Sequence, residues 1–176
     1  VVVQHEHHQR RHRDHEGRYD QYYRNTTGRN DITKAKVARD AEKMYFYVET
    51  AEKLTSQTDR NWMMLFIDAD RDKSTGWNGY DFIVNRVSPR GKKAVIEKNV
   101  GNRWEWEQAA ETKLAVNGNK MELEIPRSVL SLSGKTVNIE FKWNDNMQDN
   151  GNIMDFYVNG DTAPGGRFNF VFNENN

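Results

Sequence analysis

Three aspartates at alternate positions, Asp68, Asp70 and Asp72, close an apolar run in the stretch FIDADRDKSTGWNGYDF, residues 66–82, and Asp81 stands near its far end. Calcium takes six to eight oxygen ligands, and alternate carboxylates of a tight loop can converge on one ion. Asp68, Asp70 and Asp72 match the first three ligand positions of the helix-loop-helix calcium pattern. Lys73 then stands where that pattern needs glycine, and Gly79 where it needs a bidentate glutamate. A different geometry could recruit Asp81 or a backbone carbonyl, so the candidate metal set is Asp68, Asp70, Asp72 and Asp81, with calcium the one cofactor considered. The competing reading is a hairpin whose aspartates accept hydrogen bonds from nearby backbone N–H groups while Arg71 and Lys73 offset the charge. The ranking is a hairpin first, a sugar-facing rim second and a metal loop third.

A second chemistry resides in the aromatics. Sugars present apolar C–H faces edged by hydroxyls, so flat rings beside polar side chains make natural platforms. The candidates are Trp77, Tyr80, Trp104 and Trp106. Trp77 is preferred, because a side chain in a turn can stand in solvent. Trp104 and Trp106 share one face of a strand opposite Arg103, Glu105 and Glu107, a pattern that fits an ordinary core face even better. Trp62 and Trp143 read as core or core-edge.

The tract at 143–167 is rich in Asp, Asn and Gly. Its Asp145, Asp149, Asp155 and Asp161 could act as acids or ligands, but Asp-Asn-Gly and Gly-Asp pairs are also common turn-makers, and no motif marks a nucleophile. All five histidines (His5, His7, His8, His12 and His15) lie within the first 28 residues. Their spacing without cysteine matches no structural zinc pattern, and a weakly metal-binding tail is expected. Asn25-Thr26-Thr27 fits the glycosylation acceptor pattern, which also arises by chance.

These groups must be positioned by strands. Met44, Phe46 and Val48 alternate with Tyr45 and Tyr47, and residues 62–67 are apolar throughout, as in a strand covered on both faces. Further period-two runs follow at 80–84, 94–96, 104–106, 114–116, 121–125, 137–143 and 168–172. Asn117-Gly118-Asn119 between two such runs is a hairpin signal, and Pro126 opens one short helical turn through Leu130. The pattern predicts an all-β antiparallel sandwich of jelly-roll type, with roughly ten strands. Residues 1–28 read as an arm or linker end and 29–176 as the β-sandwich domain.

With 176 residues the chain suits one domain with a sizeable core. Its 26 basic and 26 acidic residues cancel, so nothing global recommends a nucleic acid or an anionic membrane as partner. No apolar run is long enough to span a membrane, and cysteine is absent. The start at Val1 suggests a piece of something longer.

The succession MYFYVET, WMMLFIDADRDKSTGW, YDFIVNR, MELEIPRSVL and VNIEFKWNDN resembles the carbohydrate-binding modules of family nine and the wider DOMON-like β-sandwich group. The matching points are Ile67-Asp68, Thr75-Gly76, Val84-Asn85, the segment 124–130 and Asn144-Asp145. Stretches from Tyr23 onward also resemble terminal regions of Bacteroidetes-type polysaccharide-degrading proteins. The resemblance implies a jelly roll, export to an extracellular, periplasmic or cell-surface location, and a role beside a glycoside hydrolase. It does not carry over the family's sugar clamp. Thr58-Asp59-Arg60 occupies the neighbourhood of one clamp tryptophan, and residues 158–167, where the second is expected, contain none. Some DOMON relatives hold haem between His and Met, but no histidine falls within the sandwich here.

The expected function is therefore a non-catalytic, carbohydrate-binding accessory domain of a secreted polysaccharide-processing protein. Its expected partners are a polysaccharide or oligosaccharide and the parent protein's catalytic domain, with the domain itself monomeric. The alternative is a structural spacer that packs on a catalytic domain and binds no ligand.

Overall fold

The computed structural model describes residues 2–4, by their backbone, and 29–175. The five histidines and Asn25-Thr26-Thr27 lie outside the described residues. The architecture is all-β, and every strand pairing is antiparallel. Among the described residues the strands are β1 (Val2–Gln4), β2 (Ile32–Arg39), β3 (Lys43–Thr50), β4 (Met64–Asp68), β5 (Phe82–Val84), β6 (Lys93–Asn99), β7 (Trp106–Asn117), β8 (Lys120–Pro126), β9 (Asn138–Asp145), β10 (Asp161–Ala163) and β11 (Phe170–Asn173), with one four-residue helix, α1 (Asp155–Val158).

Hydrogen bonding follows the path β1-β2-β3-β8-β7-β6-β5-β4-β9-β10, and β11 also pairs with β9. The free edge of β9 is thus divided, with Asn138 to Phe141 facing β11 and Trp143 to Asp145 facing β10. The sheet rolls until its ends meet, where the Ile32 N–H donates to Asp161 Oδ2 at 2.6 Å. Val2–Gln4, within the stretch read as an arm, adds a strand to β2.

Alternation decides which side chains enter the core. On β3, Met44, Phe46 and Val48 are fully buried, while Tyr45 and Tyr47 face outward and are half-buried. Phe46 meets Phe141 of β9 edge-to-face at 5.3 Å, which joins the two halves of the rolled sheet through the interior. β7 and β8 are linked by Gly118-Asn119 alone, with Gly118 at φ 63, a turn whose twist suits a two-residue hairpin.

The helical turn expected at 126–130 is not a helix. Pro126 ends β8, and the chain turns back with Leu132 N–H donating to the Arg127 carbonyl at 2.8 Å. The buried Arg127 guanidinium crosses that turn to the carbonyls of Asp40, Ala41 and Leu132, and Ser131 at φ 60 leaves the helical region. Helix α1 lies instead inside the polar tract.

A second apolar cluster occupies the outer face of β4 and β5. Met64, Phe66 and Ile83 are covered there by Trp77, Tyr80, Met147 and Phe156, with Trp104, Trp106 and Ile153 at the margin. This cover accounts for the unbroken apolar run of β4 and creates the ground on which the candidate site stands.

Candidate functional site

The loop from β4 to β5 is ordered by its own aspartates. Asp68 Oδ1 accepts from the Arg71 N–H at 2.6 Å, Asp70 Oδ1 from Asp72 N–H at 2.8 Å, and Asp72 Oδ1 from Ser74 N–H at 2.8 Å. Asp81 Oδ2 accepts from the Ala69 N–H across the loop at 2.8 Å. These are the local side-chain-to-backbone bonds that make aspartate a turn residue. The hairpin reading of the stretch describes what the side chains do.

The charge is balanced from β9. Asp68 pairs in register with Glu140, and Lys73 Nζ lies between them, 2.5 Å from Asp68 Oδ2 and 2.6 Å from Glu140 Oε2. Arg71 reaches Glu140 Oε1 at 3.2 Å and Asn138 Oδ1 at 3.0 Å. Burial pushes the Asp68 carboxyl up from its ordinary value against the pull of Lys73. Burial also pushes Asp81 up, aided by the nearby negative charges of Asp70 and Asp68. Burial acts on Glu140 in the same direction, but the hydrogen bonds from Lys73 and Asn169 outweigh it and leave that carboxyl low.

Carboxylate oxygens of Asp68, Asp70 and Asp81 lie within 4.8 Å of one another. That span equals two calcium–oxygen bonds of about 2.4 Å laid end to end, so the three could share one ion. Asp72 is not of this group. Its carboxylate is turned to Ser74, whose N–H and Oγ it accepts at 2.8 and 2.6 Å. The expected four-carboxylate set is corrected to three, with Lys73 already supplying a positive charge beside Asp68.

The four expected sugar-stacking aromatics come together, with Trp77 and Tyr80 inside the molecule and Trp104 and Trp106 at its margin. Trp77 stacks with Tyr80 at 6.1 Å and meets Trp104 edge-on at 4.5 Å, and Trp104 meets Trp106 at 5.6 Å. Trp77 and Tyr80 are only 4% and 3% exposed, which overturns the expectation of a turn tryptophan standing in solvent. The cause is the turn itself. Trp77 and Tyr80 exchange backbone hydrogen bonds at 2.9 and 3.0 Å around Asn78 (φ 52) and Gly79 (φ 93), a type I′ hairpin that points both rings the same way, onto Phe66. The Asn-Gly dipeptide at 78–79 was the signal for this turn. A Cβ on Gly79 would also stand 2.8 Å from Lys73 Cδ, so glycine lets the lysine cross to Asp68. Trp104 precedes β7 rather than sharing its strand, and both Trp104 and Trp106 remain half-buried at the cluster's edge.

The aspartates of the polar tract serve structure. Asp145 is fully buried between the Met63 N–H at 2.8 Å and Arg29 Nε at 2.7 Å. Asp155 accepts from the N–H groups of Gln148 and Asp149, and Asp161 closes the sheet. Phe168, expected to alternate with Phe170 and Phe172, precedes β11 and is 67% exposed.

Beside the aspartate loop lies a solvent-open cavity of about 260 Å³, lined by Lys73, Asn78, Tyr80, Ile153, Arg167 and Asn169. Tyr80 Oη donates to Asn169 Oδ1 at 2.6 Å, and Asn169 Nδ2 donates to Glu140 Oε2 at 2.9 Å. Burial keeps the Tyr80 phenol protonated far above neutral pH. Of these residues the sequence reading singled out Tyr80 for a site and Lys73 only as an offsetting charge. Asn169 and Arg167 belong to a distant loop, and no local pattern brings them to this hairpin.

The chain matches no family model, no curated protein and no solved structure.

Proposed function

We propose that this chain is a non-catalytic accessory domain that binds carbohydrate through the cavity beside the β4–β5 hairpin. It would act next to the catalytic domain of a secreted polysaccharide-processing protein such as a glycoside hydrolase. The observation that carries the reading is the lining of that cavity: two amides, two cations, a tyrosine and an isoleucine brought together by three loops. Directional donors and acceptors beside apolar surface are what a sugar ring requires. The commitment of Asp145, Asp155 and Asp161 to backbone N–H groups supports a non-catalytic role. The order of motifs shared with family-nine modules supports the setting, and the site differs from the one first favoured at Trp77.

The second reading is the ligand-free spacer. It is favoured by the burial of Trp62, Trp77 and Trp143, which are at most 4% exposed and offer no stacking face. Affinity electrophoresis against a polysaccharide panel separates the two. Retardation that is lost in Asn78→Gly is expected, since Asn78 is exposed and glycine keeps the positive φ on which the turn under the aromatic cluster depends. Unaltered mobility in every gel would leave the spacer.

A further inference from the structure

Not every group around the cavity is equally available. Lys73 is shared by Asp68 and Glu140, and Asn169 is held between Tyr80 and Glu140. Among the described residues, Asn78 has no side-chain hydrogen bond and Arg167 has neither hydrogen bond nor ion pair. Two anions, Asp68 and Glu140, are bridged by Lys73, and Arg71 adds a second contact to Glu140. Arg167 is thus a guanidinium at the cavity wall without an acidic partner.

The loop that carries Arg167 is also fixed from beneath. Fully buried Lys142 donates to the carbonyls of Pro164 at 2.5 Å and Gly166 at 2.8 Å, and its ammonium lies 5.2 Å from the Phe156 ring centre. Gly166 (φ 63) packs where a Cβ would stand 2.6 Å from Tyr157 Cε1. On the other side, Asn169 is tied to Tyr80. Arg167 therefore projects into solvent from backbone anchored before and after it, and its planar fork of donors suits an oxyanion.

We infer that the cavity recognises an acidic saccharide, a sugar ring bearing a carboxylate or sulfate, with Arg167 taking the anionic group and Asn78 a neighbouring hydroxyl. This rests on the carbohydrate reading and narrows it to a substrate class. Arg167 is exposed, so an anionic substituent at the cavity mouth can reach it without displacing a protein partner.

The test is affinity electrophoresis and calorimetry with polygalacturonate, dextran sulfate, fully methyl-esterified pectin and plain dextran. Wild-type protein is expected to bind polygalacturonate or dextran sulfate at least about tenfold more tightly than the uncharged polymers, equivalent to about 1.4 kcal/mol. Which of the two is preferred identifies carboxylate or sulfate as the source. Arg167→Gln should remove that preference, whereas Arg90→Gln, the loss of an exposed charge elsewhere, should retain it; melting curves check that both variants fold. Equal binding of esterified pectin, or an unchanged preference in Arg167→Gln, overturns the acidic-sugar inference while leaving carbohydrate binding intact. Failure to bind any of the four, or any neutral glycan of the wider panel, overturns both.

Discussion

A lysine ammonium with no carboxylate in reach is an uncommon occupant of a protein interior, and Lys142 is one among the described residues. Its chain neighbours explain why alternation alone would have turned it outward: Ile139, Phe141 and Trp143 face the core, so Lys142 emerges on the opposite side. That side is covered by the loop at 164–166, whose carbonyls it binds. Burial lowers its pKa well below 10.5. Between that lowered value and 10.5, the unfolded chain holds a proton that the folded chain has released. Unfolding then takes up a proton, so stability rises with pH through this window, by up to about 1.4 kcal/mol per unit, and is flat below it. Lys142→Met should lose this slope. Urea unfolding of both proteins from about pH 7 to about pH 10 should show the wild type gaining stability relative to the variant as pH rises. A constant difference would mean that the amine titrates at its ordinary value in the fold.

At the level of elements, the β4–β5 hairpin owes its form to aspartates that bond its own backbone and to one lysine that carries the counter-charge. Removing that lysine leaves Asp68 fully buried without its cation. Lys73 is itself 55% exposed, so solvent screens the pair. The cost of Lys73→Met is expected at about 1–2 kcal/mol, between the surface and buried limits, or a fall in Tm of about 2–8 °C. The same change leaves Asp68, Asp70 and Asp81 with an uncompensated charge that a divalent ion can meet. Millimolar calcium should therefore raise the Tm of Lys73→Met more than that of the wild type, each measured against a chelated control. Equal response of the two would show that the lysine and calcium do not compete. The hairpin was legible because Asp, Asn and Gly make turns through their own side chains and positive φ. The burial of Trp77 was not, because it depends on the 147–156 segment that covers the outer face of β4.

Across the whole molecule, a charged acceptor on β10 ties that strand to β2 where the rolled sheet meets itself. Asp161→Ala would leave the buried Ile32 N–H without the acceptor it has at 2.6 Å. A buried donor left unpaired costs about 1–3 kcal/mol, and faster amide exchange should appear at Ile32 and along β10 before the rest of the sheet opens. Uniform exchange across all strands would show that closure contributes nothing of its own. The cavity belongs to this scale as well. Its walls come from the β4–β5 hairpin, the segment preceding α1 and the loop before β11, so it exists only when β9 has paired with β4 and β11.

By itself the sequence determined the all-β class, the inward faces of the strands, the Gly118-Asn119 turn and the double cover of β4. Each follows from a period of two or from a residue whose backbone preference is local. Only the tertiary structure decided what lies on the outer faces: the enclosed aromatic cluster, the buried Lys142, Glu140 as the partner of Lys73, and Arg167 beside Asn78. Alternation says which side of a strand a side chain takes, but whether that side meets water or a distant loop depends on chain segments tens of residues away.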